Sequence, residues 1–413
     1  MNIVVVTCEF YPYMNPTSNC INSYVQELKK ENHIDIICPL DSVGFEPFHS
    51  DNIDLYYITN YRNTLRALCN TKIREKRCLL FWKSVLFVLR CYSVILSLFS
   101  FPTRHSWRIK EYEKQLFSLQ NQKNIDCIIS ASGWPCSHLA VMTFKKKHPK
   151  TRWITFTLDP YTYNPVLYSN ILFVRKRREK NFRSEKAIYY NADYNIFTPE
   201  LYKSAITIFK QPEYKTICFP YVLTRFKGDS KQPKKNREDI VAMYAGTLNK
   251  QIRNPKTMLS LFSQIPDIKL ELYVAGDCND VLNNFQSDNI VINGLLTREK
   301  YIEKICTGAD ILINIGNSNS LQSPSKFFEL LSTGLPVVNF YYKMDSNFEM
   351  TEKYPLGLNI SQDGESDIDV LSDFCRSIRG KQLPFDEVKE LFPDNLLENQ
   401  MKKLNEMINN KYE

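Results

Sequence analysis

The sequence has 413 residues, a formal net charge of +8 and a mean hydropathy of −0.34. That length is too great for one ordinary hydrophobic core and indicates two domains of about 200 residues each. The cysteines and the few histidines show no metal-ligand spacing, which excludes a disulfide scaffold or zinc module and favours a reduced, cytoplasmic compartment. No signal peptide is expected at residues 1–11, because their apolar run has only strand length.

The N-terminal part of the chain has the pattern of a Rossmann-like domain. Residues 2–7 and 34–38 are apolar runs of strand length, and an amphipathic helix is predicted between them. The GxGxxG motif is absent, so nicotinamide binding is not expected. Thr17, Ser18 and Asn19 end the first polar loop, where their side chains either cap the helix or contact a phosphate.

Two further strands are predicted at residues 126–130 and 153–157. The second is followed by the sequence LDPY, which places Asp159 at the carboxyl end of a strand. An aspartate in that position can orient an acceptor hydroxyl or take its proton. The alternative is structural, because an Asp-Pro pair commonly starts a turn.

A polar segment divides the chain near its middle. Residues 223–238 are rich in lysine, glutamine and serine and are predicted to link an N-terminal domain, 1–222, to a C-terminal domain, 239–392. The tail, 393–413, is predicted to form an amphipathic helix. Its apolar stripe consists of Leu396, Leu397, Met401, Leu404 and Met407.

Residues 310–340 are predicted to form a strand–helix–strand unit in which 311–315 is a buried strand and Ser323 caps the helix. Lys326 lies in the first helical turn, where the helix dipole disfavours a cation unless an anion is bound there. Glu329 follows on the same helix face and suits vicinal hydroxyls, so the pair fits the diphosphate and ribose of a nucleotide. A surface Lys–Glu ion pair is the alternative.

The run SPSKFFELLSTGLPVV, which contains Lys326 and Glu329, resembles the donor-binding signature of GT-B glycosyltransferases of the group 1, retaining type. The resemblance implies that Lys326 contacts the diphosphate of a nucleotide-sugar and that Glu329 binds its ribose. Ser323 and Ser325 would belong to the same donor site. The family often carries a second glutamate near the sugar, but Leu321 stands at that position, so the donor sugar is not defined.

Further segments of the C-terminal domain extend the resemblance. In the sequence YAGTL, Gly246 ends a predicted strand and lets the backbone approach the donor. Arg253 is expected to contact the diphosphate, with Lys250 as the alternative. Gly276 ends another predicted strand, and Gly294 fits the loop near the nucleobase.

On the acceptor side, residues 126–161 resemble a branch of the same family in which a strand ends in Asp-Pro-Trp. The resemblance assigns Asp159 to catalysis, together with the leaving-group contacts Lys326 and Arg253. The predicted acceptor-binding residues are Thr17, Ser18, Asn19, Trp134, Asp159 and Tyr161.

The resemblance implies an α/β fold of two Rossmann-like, doubly wound domains that face a cleft, the GT-B fold. The N-terminal domain would bind the acceptor, the C-terminal domain the nucleotide-sugar, and residues 393–413 would cross back to the N-terminal domain. Local packing of that tail on the C-terminal domain is the alternative.

The implied enzyme is a hexosyl or other glycosyltransferase. It would move a sugar from a nucleotide-diphosphate-sugar to a lipid-linked saccharide acceptor in bacterial surface-polysaccharide synthesis. The alternatives are an inverting transferase, a nucleotide-sugar 2-epimerase and a non-catalytic nucleotide-sugar-binding subunit. No cofactor or metal ion is expected, because Asp367-Ile368-Asp369 matches DxD only by its letters and is explained by chance or a helix cap.

The positive charge is concentrated in residues 61–115. This region holds twelve cations against three glutamates, an excess of nine that matches the surplus of +8 in the whole chain. Such a patch indicates an anionic partner. No nucleic-acid motif accompanies it, so an anionic membrane, contacted through residues 72–110, is the predicted partner.

Residues 79–101 form an apolar run that is long enough to cross a bilayer. Lys83 and Arg90 oppose insertion, and together with Lys76 and Ser97 they recur every seven residues as a polar stripe. This pattern predicts a helix that lies in the membrane surface, with the protein peripheral on the inner face of the cell membrane. The alternative is a pair of core helices with snorkelling cations.

Overall fold

A computed structural model describes most of the chain. The described residues are 1–12, 16–40, 48–103, 105–132, 135–164, 168, 174–225, 239–285, 287–318, 326–363 and 367–412. They form two compact units. Unit 1 comprises Met1–Pro220 and Gln400–Glu413, and unit 2 comprises Tyr221–Asn399.

Unit 1 contains a parallel sheet. Its strands are β1 (Asn2–Thr7), β2 (His33–Pro39), β3 (Ile53–Ile58), β4 (Cys127–Ser132), β5 (Arg152–Thr157), β6 (Tyr194–Phe197) and β7 (Thr216–Cys218). They lie in the order β3-β2-β1-β4-β5-β6-β7, and all neighbours are parallel. The central strand β1 is apolar and buried on both faces, as expected where helices cover both sides of a parallel sheet.

Seven α-helices accompany this sheet within the described residues. They are α1 (Pro16–Leu28), α2 (Tyr61–Arg74), α3 (Leu79–Phe99), α4 (Trp107–Gln122), α5 (Cys136–Lys147), α6 (Val174–Asn191) and α7 (Pro199–Thr207), and a 3₁₀ helix spans Glu213–Lys215. The buried side chains of α4 and α5, which include Tyr112 and Phe144, pack with Trp153 of β5 into the core.

Unit 2 repeats this architecture. Its strands are β8 (Ile240–Leu248), β9 (Ile268–Gly276), β10 (Ile290–Asn293), β11 (Ile311–Ile315), β12 (Val337–Tyr341) and β13 (Gly357–Ser361). They form a parallel sheet in the order β10-β9-β8-β11-β12-β13. The helices are α8 (Lys256–Phe262), α9 (Asn279–Asn283), α10 (Arg298–Gly308), α11 (Lys326–Ser332), α12 (Ser346–Lys353), α13 (Ile368–Ser377) and α14 (Phe385–Leu391), followed by a 3₁₀ helix (Pro393–Asn395) and α15 (Leu397–Ile408).

The strand order identifies the class of fold. In both units the first strand lies inside the sheet, the next two follow on one side and the later strands on the other, which is the doubly wound Rossmann order. Ligands of such sheets bind at the carboxyl ends of the strands, where the order reverses. The predicted α/β fold with two Rossmann-like domains is confirmed.

The structure corrects the prediction for β8. This strand continues through Gly246 to Leu248, whereas the sequence predicted that it ends at Gly246. The cause is the partner strand β9, which pairs with β8 along its whole length as far as Gly276. The edge strands β3 and β13 were not predicted, because each is short and mixes polar with apolar residues.

Several predicted features lie outside the described residues. They are residues 226–238 of the predicted linker, Trp134, Leu321, and the predicted helix cap and donor contact Ser323 and Ser325. The described part of α11 begins at Lys326.

The C-terminal helix α15 starts in unit 2, and residues 400–413 belong to unit 1. Its predicted apolar stripe is buried at Met401, Leu404 and Met407. Polar contacts join the same segment to unit 1, because the Tyr24 hydroxyl donates to the Gln400 side chain and Arg152 Nη1 donates to the Met407 carbonyl at 3.1 Å.

Candidate functional site

The predicted donor-binding residues of unit 2 lie at the carboxyl edge of its sheet. Gly246 is among the last three residues of β8. Gly276 ends β9, and Gly294 follows β10. Arg253 lies in the loop after β8, and Asn317 in the loop after β11. Because parallel strands end at the same edge of a sheet, these residues share one side of unit 2.

Three cationic side chains lie close together at this edge. The Lys326 ammonium is 5.3 Å from the centre of the Tyr301 ring, and the Arg298 guanidinium carbon is 5.6 Å from the same ring centre. Desolvation lowers the pKa of the Lys326 ammonium, and the positive charges of Arg253 and Arg298 contribute to that lowering. The Glu329 carboxylate opposes this lowering. A group of neighbouring cations is suited to an anion with several negative oxygens, such as a diphosphate.

Glu329 lies one helical turn beyond Lys326, but its ion-pair partner is Arg298. Arg298 Nη1 donates to a Glu329 carboxylate oxygen at 2.9 Å. The Glu329 side chain keeps 28% of its surface exposed, so a ligand hydroxyl can reach its carboxylate. The alternative of a simple Lys326–Glu329 surface pair therefore does not describe the arrangement, in which Arg298 orients the carboxylate.

Arg253 and Lys250, the two alternatives for a diphosphate contact, have different partners. Arg253 Nη2 donates to the neutral amide oxygen of Asn317 at 2.7 Å, and its Nε donates to the same atom at 3.2 Å. Lys250 Nζ lies 2.8 Å from the Asp280 carboxylate, which raises the pKa of Lys250. In these contacts no carboxylate compensates the charge of Arg253, whereas Asp280 compensates the charge of Lys250.

The site glycines differ in what requires them. Gly276 has φ +137°, and a Cβ there would lie 1.9 Å from the Leu248 carbonyl oxygen, so the close approach of β8 and β9 by itself demands glycine. Gly294 has no atom within 4 Å of the place where a Cβ would be. The space beside Gly294 is therefore open, as a loop that contacts a ligand needs.

In unit 1, Asp159 follows β5 and is partly exposed. The loop that contains it is fixed by its neighbours, because the Thr162 backbone N–H and hydroxyl donate to the buried Glu185 carboxylate at 3.1 and 2.5 Å. Burial raises the pKa of Glu185. Helix α6 thus holds the backbone three residues beyond Asp159.

Tyr161, predicted to bind the acceptor, has a different position. Its side chain is 4% exposed, and its hydroxyl donates to the Pro102 carbonyl at 2.7 Å. Burial raises the pKa of Tyr161. The hydroxyl is therefore committed to the segment after α3, and Tyr161 positions the loop rather than facing a ligand.

The predicted residues Thr17, Ser18 and Asn19 lie within α1, whose described part begins at Pro16. The sequence prediction placed them in the preceding loop. Ser18 is fully buried, whereas Asn19 is exposed and Thr17 is partly exposed. Of the three, Thr17 and Asn19 offer side-chain surface to a ligand.

Within the described residues, one group of side chains has the spacing of metal ligands, namely His33, Asp35 and Asp54. Lys123 Nζ lies 2.7 Å from the buried Asp35 carboxylate, and His33 Nε2 lies 3.1 Å from Asp54. The group lies at the amino ends of β2 and β3, away from the ligand-binding edge of the sheet. Lys123 compensates the charge of the buried Asp35 carboxylate within the group.

Sequence reasoning missed Arg298, Asn317 and Tyr301. A signal for Arg298 was present, because Thr297 caps α10 and makes Arg298 a cation at the positive end of a helix, as Lys326 was predicted to be. Asn317 and Tyr301 carry no motif, and only the fold brings them to the cations.

No protein-family model and no curated protein matches the sequence. Solved structures do match. The lipopolysaccharide outer core galactosyltransferase WaaB, in its apo form, has a TM-score of 0.60 at 12% identity, with 100% of both chains covered. A glycosyltransferase from Rickettsia africae ESF-5 has a TM-score of 0.61 at 12% identity, covering 99% of this chain and 98% of that one.

A third similar structure is a UDP-GlcNAc 2-epimerase from Neisseria meningitidis bound to UDP-GlcNAc, with a TM-score of 0.52 at 12% identity, covering 99% of this chain and 100% of that one. At such identities the likeness concerns the fold. The chain has the fold of GT-B glycosyltransferases, which the epimerase shares, over its full length.

Proposed function

We propose that the protein is a glycosyltransferase that moves a sugar from a nucleotide-diphosphate-sugar to a saccharide acceptor. The observation that carries the proposal is the cluster of Arg253, Arg298 and Lys326 beside Glu329 at the carboxyl edge of the unit 2 sheet. Lys326 and Arg253 bind the diphosphate, and Glu329, oriented by Arg298, accepts hydrogen bonds from the ribose. Gly246, Gly276 and Gly294 belong to the same donor site.

The chemistry follows from the charge that develops in the reaction. As the bond between the sugar and the diphosphate breaks, negative charge grows on the leaving phosphate, and fixed cations stabilise that charge more than the ground state. We propose that Lys326 and Arg253 have this role and that no metal ion is needed. The reaction is of the retaining type, by resemblance to the group 1 transferases.

Asp159 is the proposed catalytic residue of unit 1, where it orients the acceptor hydroxyl or takes its proton. The acceptor is a lipid-linked saccharide in bacterial surface-polysaccharide synthesis. Support comes from the similar structures, one of which is a lipopolysaccharide outer core galactosyltransferase. The protein is then cytoplasmic and peripheral on the inner face of the cell membrane.

A nucleotide-sugar 2-epimerase is the second candidate, because an epimerase of this fold is among the similar structures and is bound to UDP-GlcNAc. The reaction products distinguish the two activities. An epimerase converts UDP-GlcNAc to its 2-epimer without any acceptor, whereas a transferase releases the nucleoside diphosphate only as a sugar moves to an acceptor or to water.

The experiment is a thermal-shift and calorimetric titration with UDP, GDP, ADP and their sugar derivatives. Lys326→Ala and Glu329→Ala are each expected to weaken binding of the best ligand about ten- to hundredfold, because a charge-assisted contact contributes about 1.5–3 kcal/mol. Arg298→Ala is expected to weaken it less, since that residue acts by orienting Glu329.

Lys381→Ala and Glu303→Ala are the matched controls, because both side chains are exposed in unit 2 and neither belongs to the cluster. Binding by both controls must equal that of the unmodified protein. Undiminished nucleotide affinity in Lys326→Ala and Glu329→Ala would show that the donor site does not lie at this edge of the sheet. Nucleotide binding without turnover of any sugar donor would show that the protein is a non-catalytic nucleotide-sugar-binding subunit.

A further inference from the structure

Helix α3 carries large apolar side chains on the side that faces away from α2, and these define its outer face. The window Leu79–Leu96 is long and apolar enough to cross a membrane by length and composition alone, and only 6% of it is buried. The outer face consists of Leu80 (83% exposed), Phe81 (59%), Phe87 (66%), Val88 (65%), Val94 (63%) and Ile95 (53%). The core-helix alternative is therefore wrong for α3.

The outer face is a continuous surface. Its six residues fall into two sets that each repeat every seven residues, so they lie side by side along the helix. The opposite side of α3, with Leu89, Ser93 and Leu96, faces α2. The helix thus has a packed side and an apolar exposed side, which in a monomer in water exposes an unusually large apolar patch.

Cations border the outer face along both of its edges. Lys83 and Arg90 are exposed. Each follows a residue of the row Leu80, Phe87 and Val94 by three positions, so the two cations lie beside that row, at the edge of the outer face. On the other edge the Arg62 guanidinium of α2 stacks on Tyr92, 4.6 Å from the ring centre.

A second group of cations lies at the C-terminal end of α3. The Lys180 ammonium of α6 is 3.9 Å from the centre of the Phe101 ring, directly after that helix. The exposed cations of α6 are Arg175, Lys176, Arg178, Lys180, Arg183 and Lys186. Apolar side chains bordered by cations are complementary to acyl chains below a layer of anionic headgroups.

Both ends of α3 are attached to the body of unit 1. Helix α2 precedes it after a short turn, and the carbonyl of Pro102, beyond its C-terminal end, accepts the hydrogen bond of the buried Tyr161 hydroxyl. To span a bilayer, this helix of about 30 Å would have to leave α2 and carry one end to the far side of the membrane. An orientation in the plane of the surface keeps all these contacts.

We propose that the outer face of α3 docks on a bilayer that contains anionic lipid, with the helix parallel to the membrane plane. The acyl-chain region receives the six apolar side chains, and Lys83, Arg90 and Arg62 contact lipid phosphates. A second copy of the chain fits less well, because pairing two outer faces would bring their bordering cations together. Only the lipid-linked nature of the acceptor rests on the proposed function; the docking surface itself does not.

The position of the contact gives it a role beyond attachment. Tyr161 follows Asp159 by two residues, so the hydrogen bond to Pro102 connects the segment after α3 to the loop after β5 that contains Asp159. A membrane-embedded acceptor would reach unit 1 from the side on which α3 docks. The Tyr161–Pro102 hydrogen bond therefore links the segment after α3 to the loop that holds the proposed catalytic aspartate.

The test is flotation of the full-length protein with vesicles of phosphatidylcholine alone and of phosphatidylcholine with phosphatidylglycerol. The protein is expected to float with the anionic vesicles and to float less as salt rises. Phe87→Ser with Ile95→Ser should reduce partitioning at least about tenfold, because two large apolar side chains no longer enter the lipid. Lys83→Gln with Arg90→Gln should remove the preference for anionic vesicles.

The matched control is Ile208→Ser with Val370→Ser, which removes two exposed apolar side chains away from α3 and should leave flotation unchanged. Circular dichroism and nucleotide thermal shifts report whether each variant is folded and whether the donor site is intact, independently of flotation. If the protein floats with anionic vesicles but binds no nucleotide, the proposed function is refuted and the proposed docking surface is still supported.

Four results would overturn the inference. In the first, the protein does not float with anionic vesicles, and in the second, the outer-face variant floats as well as the control. Retention on the membrane after alkaline carbonate extraction would show a spanning helix instead. A dimer that is lost in Phe87→Ser with Ile95→Ser, together with no flotation, would show that a second copy covers the face.

Discussion

Lys326 occupies a position that costs the unliganded protein stability. Its pKa is lowered by desolvation, so between the folded and the unfolded pKa values the folded state binds fewer protons than the unfolded chain. Stability of the unliganded protein then rises with pH across that interval, because the partly desolvated charge is lost. A bound diphosphate reverses the balance, since it favours the ammonium form.

The pH dependence of donor binding follows from the same shift. As pH rises through the lowered pKa of Lys326, the ammonium loses its proton and the nucleoside diphosphate affinity is expected to fall. Lys326→Arg should abolish this fall, because arginine stays protonated. Calorimetric titration of the nucleoside diphosphate from neutral to alkaline pH measures both. An identical alkaline decline in Lys326→Arg would show that another group titrates.

At the scale of elements, the loop after β5, which contains Asp159, is held between the segment after α3 and helix α6. Tyr161 reaches the segment after α3, and Glu185 of α6 accepts both hydrogen bonds of Thr162. These contacts leave Asp159 partly exposed on a loop whose neighbours are fixed. Catalytic groups need such supporting contacts, because small displacements of a reacting group cost large factors in rate.

Tyr161→Phe tests this connection. The substitution removes one buried hydrogen bond, which costs about 0.5–1.5 kcal/mol of stability, and it frees the loop from Pro102. Turnover with a saccharide acceptor is expected to fall several-fold while nucleotide affinity stays unchanged. Tyr163→Phe in the same loop is the control and should keep full turnover. If both variants turn over equally at a temperature where both are folded, Tyr161 has only a structural role.

Most elements were predictable from the sequence because parallel strands buried on both faces are continuous apolar runs. The strands β1, β5 and β11 have this pattern and lie where predicted. The edge strands β3 and β13 escaped prediction, since an edge position relaxes the apolar requirement. The local sequence pattern thus predicts the central strands of each sheet better than the edge strands.

The site was partly predictable for a different reason. Lys326 and Glu329 stand out because they are close in sequence on one helix, and spacing alone places them on one face. Arg298 and Asn317 reach the cluster through the order of β8, β10 and β11 in the sheet, which no local pattern encodes. The ion pair of Glu329 with Arg298 therefore required the fold.

At the scale of the whole molecule, residues 400–413 return to unit 1 after unit 2 is complete. The returning segment buries Leu404 to 1% exposure and Met407 to 0%. Arg152 donates to the carbonyls at the end of α15, and Tyr194 contacts Asn410 at 3.5 Å. Folding of unit 1 therefore includes residues that follow unit 2 in the sequence.

Leu404→Ala is expected to destabilise unit 1 and to leave unit 2 intact. Removing a buried leucine side chain costs about 2–5 kcal/mol, because the transfer energy is lost and a cavity remains. Hydrogen exchange should rise in β1, β5 and β6 while β8 and β11 stay protected. Nucleotide affinity should not change, since the proposed donor site lies in unit 2. Lys402→Ala, on the exposed side of the same helix, should match the unmodified protein, and equal exchange in the two variants would mean that the returning helix contributes nothing to unit 1.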